Sequence, residues 1–261
     1  MMSAQAEARP AQVALFISDL HLQADMPRTS AAFFSFLTAH AAKSRQLYLL
    51  GDIFEYWAGD DDLSPFNTSV IDALHALKRS GVETFWIAGN RDFLVGSTFA
   101  SMAGLTLLPD PFVLKHGAGD IVLTHGDALC TDDVAYMQFR AQVRQRQWQE
   151  NFLAQPLDQR KAIIAGLRQG SREAQREKAD YIMDVNPGAV HAMFAATATR
   201  TMVHGHTHRP AVHREECEGK QLLRYVLPDW DCDGGKPRGG WIALGENGDL
   251  SRFNYDGVLL T

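Results

Sequence analysis

The chain has 261 residues, 46% hydrophobic and 21% charged, with a formal net charge of −6, the profile of a soluble globular protein that can bury a large core. The acidic balance argues against general nucleic-acid binding, which needs a basic surface, and no apolar run approaches the ~18 residues needed to cross a bilayer. Three widely spaced cysteines, Cys130, Cys217 and Cys232, suit the reduced thiols of a cytosolic protein rather than a disulfide framework, and residues 1–10 hold no apolar stretch of the secretory kind.

In chain order, Val13 to Ile17 is an apolar run too short for a helix and suited to a buried strand. Thr29 to Ala42 predicts a helix capped by Thr29 or Ser30, with Phe33, Phe36 and Leu37 on one face. Leu47–Leu50 is the next strand. Thr68 to Ser80 is the next helix, closed by Gly81. Strands follow at Thr84–Ala88 and Asp120–Thr124, so the first 130 residues alternate in the manner of an α/β layered protein.

From Asp132 to about Thr197 the pattern is helical only. Val134, Met137, Ala141, Trp148 and Phe152 recur at helical spacing, and Pro156 breaks the run. Leu157, Ile164 and Leu167 continue a second helix, and residues 171 to 183 predict a third. This stretch reads as a helical insertion, 132–197, within a single domain. Strands resume at Thr201–Val203, near Gln221–Leu227 and at Trp241–Leu244, with turn chemistry at Asp233-Gly234-Gly235 and Gly239-Gly240. Nine basic residues between Arg140 and Lys178 suit either an anionic ligand or surface, or a solvated helical face.

Five motifs follow one rule: an apolar strand ends and metal-ligating residue types come next. Asp19 and His21 follow the first strand, Asp52 the second, Asn90 the third and His125 the fourth. His206 and His208 follow the fifth. Strand ends are where α/β proteins build sites. In an extended segment residues i and i+2 share a side, so Asp19 with His21, and His206 with His208, can reach one pocket. Gly51 and Gly205 let the backbone pass close to a ligand. Carboxylate, amide oxygen and imidazole suit Mn²⁺, Zn²⁺ or Fe, and the lack of thiolate removes any case for structural zinc. Each motif alone is an ordinary turn or cap; five in this order are not. His40, His75, His116, His191 and His213 match no motif, and His204 ends a strand.

The strings Asp19-Leu20-His21, Gly51-Asp52, Gly89-Asn90-Arg91-Asp92, His125-Gly126-Asp127 and Gly205-His206-Thr207-His208 resemble those of the calcineurin-like metallophosphoesterases. That resemblance implies a four-layer αββα sandwich and two ions sharing one carboxylate. Asp19, His21, Asp52 and His208 would hold the first ion, and Asp52, Asn90, His125 and His206 the second. Two Mn²⁺ are expected, with Mg²⁺, Zn²⁺ or Fe left open.

Phosphoprotein phosphatases of the family carry His after the Asn; here Arg91 stands there. Arginine donates no proton near neutral pH, but its fork grips phosphate oxygens. The strings from Gly51 to Trp57, Gly59-Asp60-Asp61, Cys130 to Asp133, Met183 to Asn186 and His208-Arg209-Pro210 are similar to a branch of the family that cleaves UDP-2,3-diacylglucosamine to UMP and 2,3-diacylglucosamine 1-phosphate in lipid A synthesis. That similarity implies a hydrolase in the cytoplasm, peripheral to the inner membrane. It implies an insertion that caps the site and shelters acyl chains, and catalytic roles for Asp52, Asn90, Arg91 and His206. It also places Asn90, Arg91, Asp133, Ser171, Gln175, Lys178 and His206 on the substrate. The residues themselves leave two choices open: Trp148, Phe152, Ile164 and Leu167 can take hydrocarbon or pack the insertion on the core, and Asp133 can serve substrate or a helix N-terminus. Two alternative functions stand beside this one: a related enzyme acting on a soluble nucleotide diphosphate or phosphodiester, and a scaffold without catalysis, which the complete ligand set argues against.

Overall fold

The computed structural model describes residues 12–177, 184–217 and 219–260, with the backbone only along 171–177. The first part runs β1 (Gln12–Ile17), α1 (Pro27–Ala39), β2 (Gln46–Leu49), α2 (Pro65–Arg79), β3 (Glu83–Ile87), α3 (Ser97–Ala103) and β4 (Thr106–Leu108). Then come β5 (Phe112–Leu114), β6 (Ile121–Thr124), α4 (Val134–Val143), α5 (Arg146–Leu153), α6 (Leu157–Glu177) and α7 (Pro187–Thr197). The chain closes with β7 (Thr201–His204), β8 (Val212–Cys217), β9 (Lys220–Val226), β10 (Gly240–Gly245), β11 (Leu250–Asn254) and β12 (Leu259–Leu260).

The strands form a seven-stranded sheet, β12-β11-β10-β1-β2-β3-β4, and a five-stranded sheet, β5-β6-β7-β9-β8. Side chains alternate across each strand, and that alternation builds the layers. Ala14, Phe16, Tyr48, Leu123, Val203 and Ile242 pack between the sheets. Leu15, Ile17, Leu49 and Trp86 face the other way, onto Phe36 of α1, Leu74 of α2 and Phe99 of α3. On the far face of the second sheet, Val122, Met202 and Leu222 meet Val190 and Phe194 of α7. The result is the expected αββα sandwich.

Several local expectations are corrected. α1 starts at Pro27, before Thr29, and Met26 caps it with no side-chain hydrogen bond. The Thr29 hydroxyl donates instead to Asp233, 2.7 Å away. The helix ends at Ala39, and a 3-10 turn occupies Ala41–Lys43. α2 starts three residues early because the Asn67 N–H donates to Ser64 Oγ and Pro65 begins the first turn. The second helix of the insertion runs on through residue 177 of the third as one helix, α6, because Gly166 and Gly170 lower helix propensity without ending it, and residues 178–183 of the third lie outside the described residues. β4, β5 and β12 are too short, and β8 and β11 too polar, to have been read as strands.

Between β6 and β7 the described residues hold helices and turns only. Five of the basic residues there are spent on the core. Arg140 and Arg144 reach Asp127, Arg160 reaches Asp61 and the Ala58 carbonyl, Lys161 reaches Asp62, and Arg168 reaches Glu55. These latches, rather than a solvated face, account for most of that positive charge.

Candidate metal centre

β1, β2 and β3 run parallel in one sheet, and β6 and β7 run parallel in the other. Their C-terminal ends therefore open on one rim, where all seven candidate ligands sit. Backbone bonds lash the loops together: Asp19 N–H donates to the Gly51 carbonyl at 3.1 Å, and Gly205 N–H to that of His125 at 2.9 Å.

The rim is strained. Among the described residues six that are not glycine have positive φ, and five are Asp19 (54°), His21 (49°), Asp52 (53°), His206 (68°) and His208 (54°). A left-handed backbone costs such a residue roughly 1–3 kcal/mol, and clusters of it mark functional sites. Close packing enforces it. A methyl group on Gly89 would overlap the Asp52 carboxylate, and one on Gly205 would overlap that of Asp19.

The donor atoms converge. The Asn90 side-chain oxygen lies 2.9 Å from His125 Nε2 and 2.8 Å from His206 Nδ1. His125 Nε2 is 3.6 Å from Asp52 Oδ1. His208 Nε2 is 3.5 Å from Asp19 Oδ1 and 3.3 Å from His21 Nε2. Ligand atoms of Asp19, His21 and His208 lie within 4.8 Å of one another, as do those of Asp19, Asp52 and His125. Asp19 belongs to both groups.

Neighbouring groups aim these donors. His125 Nδ1 donates to the Leu50 carbonyl at 2.8 Å, which turns Nε2 toward Asn90 and Asp52 as the nitrogen that would meet a metal. His21 Nδ1 lies 2.9 Å from Glu55, which frees its Nε2 in the same way. Asp92 accepts from Gly89 N–H and Ile53 N–H, both at 2.8 Å, tying the Asp52 and Asn90 loops together. Tyr136 of α4 donates to Asp127 at 2.5 Å and stacks on His206 with ring centroids 6.0 Å apart.

The electrostatics ask for cations. Asp19 is buried, yet His208, His125 and His21 hold its carboxyl below the ordinary range. Burial should lower His125, but the carboxylates of Asp52, Asp19 and Asp127 outweigh it and push it up to about 9. Burial and His125 together push His206 down to about 4. Asp19 Oδ1 is buried without a hydrogen-bond partner among the described residues. An orphaned carboxylate oxygen, and imidazole nitrogens facing each other at 3.3 Å, fit dications as the missing partners.

The remaining sequence-predicted residues scatter. Arg91, half-buried, donates its backbone N–H to Asp52 Oδ1 at 2.8 Å and lines a cavity with Asn90. Asp133 caps α4, accepting from Tyr136 N–H at 3.1 Å. Ser171 and Gln175 fall on α6 with their side chains outside the described set, and Lys178 lies outside the described residues. Sequence reasoning gave no role to Glu55, Asp92, Asp127 or Asp229; Asp229 lies 3.7 Å from His208 Nδ1. For Asp92 and Asp127 the only signal was their place inside the ligand motifs.

Ligand-bearing strand ends on one rim of a four-layer sandwich define a metallophosphoesterase. The calcineurin-like phosphoesterase model matches residues 13–210, and the chain belongs to that family. Its donor set fits the divalent metals such a fold implies. The chain is 50% identical to a UDP-2,3-diacylglucosamine hydrolase of Aromatoleum aromaticum, over 84% of this chain and 90% of that one. It is 46% identical to the proteins of the same name from Chromohalobacter salexigens, over 87% and 90%, and from Enterobacter sp. strain 638, over 84% and 92%.

Proposed function

We propose that the protein hydrolyses the diphosphate of UDP-2,3-diacylglucosamine with two Mn²⁺, releasing UMP and 2,3-diacylglucosamine 1-phosphate in lipid A biosynthesis. Asp19, His21, Asp52 and His208 would hold one ion, and Asp52, Asn90, His125 and His206 the other. Such a pair of dications would supply charge neutralisation and a more acidic water. Ligand atoms of Asp52 lie within 4.8 Å of those of Asp19, a residue of the first set, and of His125, a residue of the second, a position compatible with its being shared. Arg91 and His206 offset charge on the phosphoryl oxygens. The lipid-sugar phosphate is a good leaving group and needs no strong acid to depart.

One observation carries the substrate: a cavity of about 440 Å³ opens beside Asn90 and Arg91 and is walled by Trp57, Phe93, Trp148, Phe152 and Ile164. An apolar chamber next to a phosphate-binding rim suits a molecule that is hydrocarbon at one end and diphosphate at the other. Trp148 and Phe152 both pack on the core and wall the chamber, so packing and acyl binding are compatible uses of the same side chains. The insertion, 132–197, acts as its cap. Val134, Phe139, Ile163 and Leu167 are exposed on that cap and would rest against the membrane that supplies the lipid, while no described helix is long and apolar enough to cross one. Ser171, Gln175 and Lys178, with Asp133, would complete the substrate contacts.

A rate panel tests this. Turnover of UDP-2,3-diacylglucosamine should exceed that of UDP-N-acetylglucosamine, which lacks the long chains, by about a hundredfold or more. Equal rates would favour a soluble nucleotide diphosphate as substrate.

A further inference from the structure

A second cavity of about 380 Å³ reaches the metal rim at His208 and Asp229. It shares no lining residue with the apolar chamber, so the two spaces meet the ligand set at separate residues. Strands of both sheets contribute to its lining. Ile242 and Arg252 are register partners on β10 and β11, and Arg252 pairs in turn with Leu260 on β12; Val226 of β9 stands across from them. Tyr255 adds aromatic surface, while the Trp241 ring is buried against Phe36 and Phe253, and Pro228 and Pro237 stiffen the walls.

The two cations of this cavity differ. Arg238 is neutralised by Asp229 and Asp231, at 2.7 and 3.1 Å. Arg252 is half-buried, and no hydrogen bond or ion pair holds its guanidinium among the described residues. A half-buried cation without a partner is costly unless a ligand supplies the acceptor. Its fork suits paired carbonyl oxygens or a phosphate.

We propose that this second cavity takes the nucleoside of the substrate, with Arg252 donating to carbonyl oxygens of the pyrimidine. The inference rests on the reading of the protein as a UDP-sugar hydrolase. A diphosphate held at the rim projects a substituent from each phosphorus, and the chain offers two cavities for them. The chamber beside Arg91 is apolar enough for acyl chains. The cavity beside His208 is of the size of small-molecule sites, roughly 300–1,000 Å³, and carries a free donor and the Tyr255 ring for a base. Asn254 adds a donor: its side-chain oxygen accepts from the N–H groups of Asp256 and Val258, which leaves its NH₂ for a ligand.

The test is calorimetric titration of the Mn²⁺-loaded protein with UMP and with inorganic phosphate. The wild type should bind UMP at least about tenfold more tightly than phosphate, since base and ribose add contacts in the cavity. Arg252→Ala should bring the two affinities to within about twofold. Leu260→Trp, which fills the cavity mouth from an exposed position and leaves Arg252 in place, should do the same. A wild type with no preference for UMP, or a preference kept in both variants, overturns the assignment. Failure of the lipid substrate to yield UMP, with the UMP preference intact, would instead strike the reading under Proposed function.

Discussion

His21 and Glu55, 34 residues apart, meet at 2.9 Å, and that contact decides which nitrogen of His21 faces Asp19 and His208. Glu55 is half-buried, and burial alone would raise its carboxyl. The hydrogen bond from His21, helped by Arg91 and Arg168, pulls it down to about 2. Glu55→Gln removes the charge that fixes the ring, so metal affinity should fall by about 10–100-fold. Turnover should recover at saturating metal. Isothermal titration reads the affinity; a wild-type value would leave Glu55 as no more than a latch for Arg168.

Arg91 lies beside the donors without being one. Arg91→Ala should lower kcat by about 10²–10³-fold, the usual cost of losing a transition-state charge partner, while metal content stays at the wild-type level. Asn90→Ala and His125→Ala should instead lose both metal and turnover. A rise in KM alone for the Arg91 variant would mean that it grips the ground state only.

His204 is buried and neutral: Nδ1 donates to the Gly205 carbonyl at 2.9 Å, and Nε2 accepts from Arg224 at 3.1 Å. Burial and the Arg224 charge push its pKa down to about 3, from 6.5. A depressed histidine contributes stability that is present above pH 6.5 and is lost as pH falls toward 3. Urea unfolding in EDTA from pH 7.5 to 4.5 should therefore show falling stability, with a shallower slope in His204→Gln. Equal slopes would show that His204 is protonated in the fold.

What the sequence made legible follows from periodicity and residue type. Buried parallel strands are continuous apolar runs, so each strand end and the Asp, Asn or His after it stood out. Glu55 did not, because nothing in Ile53-Phe54-Glu55-Tyr56-Trp57 marks a carboxylate that pairs with a histidine on another loop. The left-handed backbone at Asp19 and Asp52 leaves no trace in composition either, since it goes with tight packing against Gly205 and Gly89. Charge was ambiguous as well. Arg140, Arg160 and Arg168 suited either an anionic partner or a solvated face, and their pairing with Asp127, Asp61 and Glu55, distant in sequence, left no local signal.

The apolar chamber yields its own test. Ile164 lies half-buried on α6 and lines it. Ile164→Asp should raise KM for the diacyl substrate by about tenfold or more, because a charge placed among hydrocarbon is costly. Hydrolysis of bis-p-nitrophenyl phosphate, which has no chain to bind, should change by less than about twofold. Equal losses on both substrates would mean that the substitution disturbs the rim itself.

Hydrolysis of UDP-2,3-diacylglucosamine by the Mn²⁺-loaded protein in ¹⁸O-labelled water examines metal use, bond cleaved and point of attack together. Attack on the uridine-side phosphorus predicts one labelled oxygen in UMP and none in 2,3-diacylglucosamine 1-phosphate, with both products absent after EDTA treatment. Label in the lipid phosphate, or full turnover in EDTA, would contradict it.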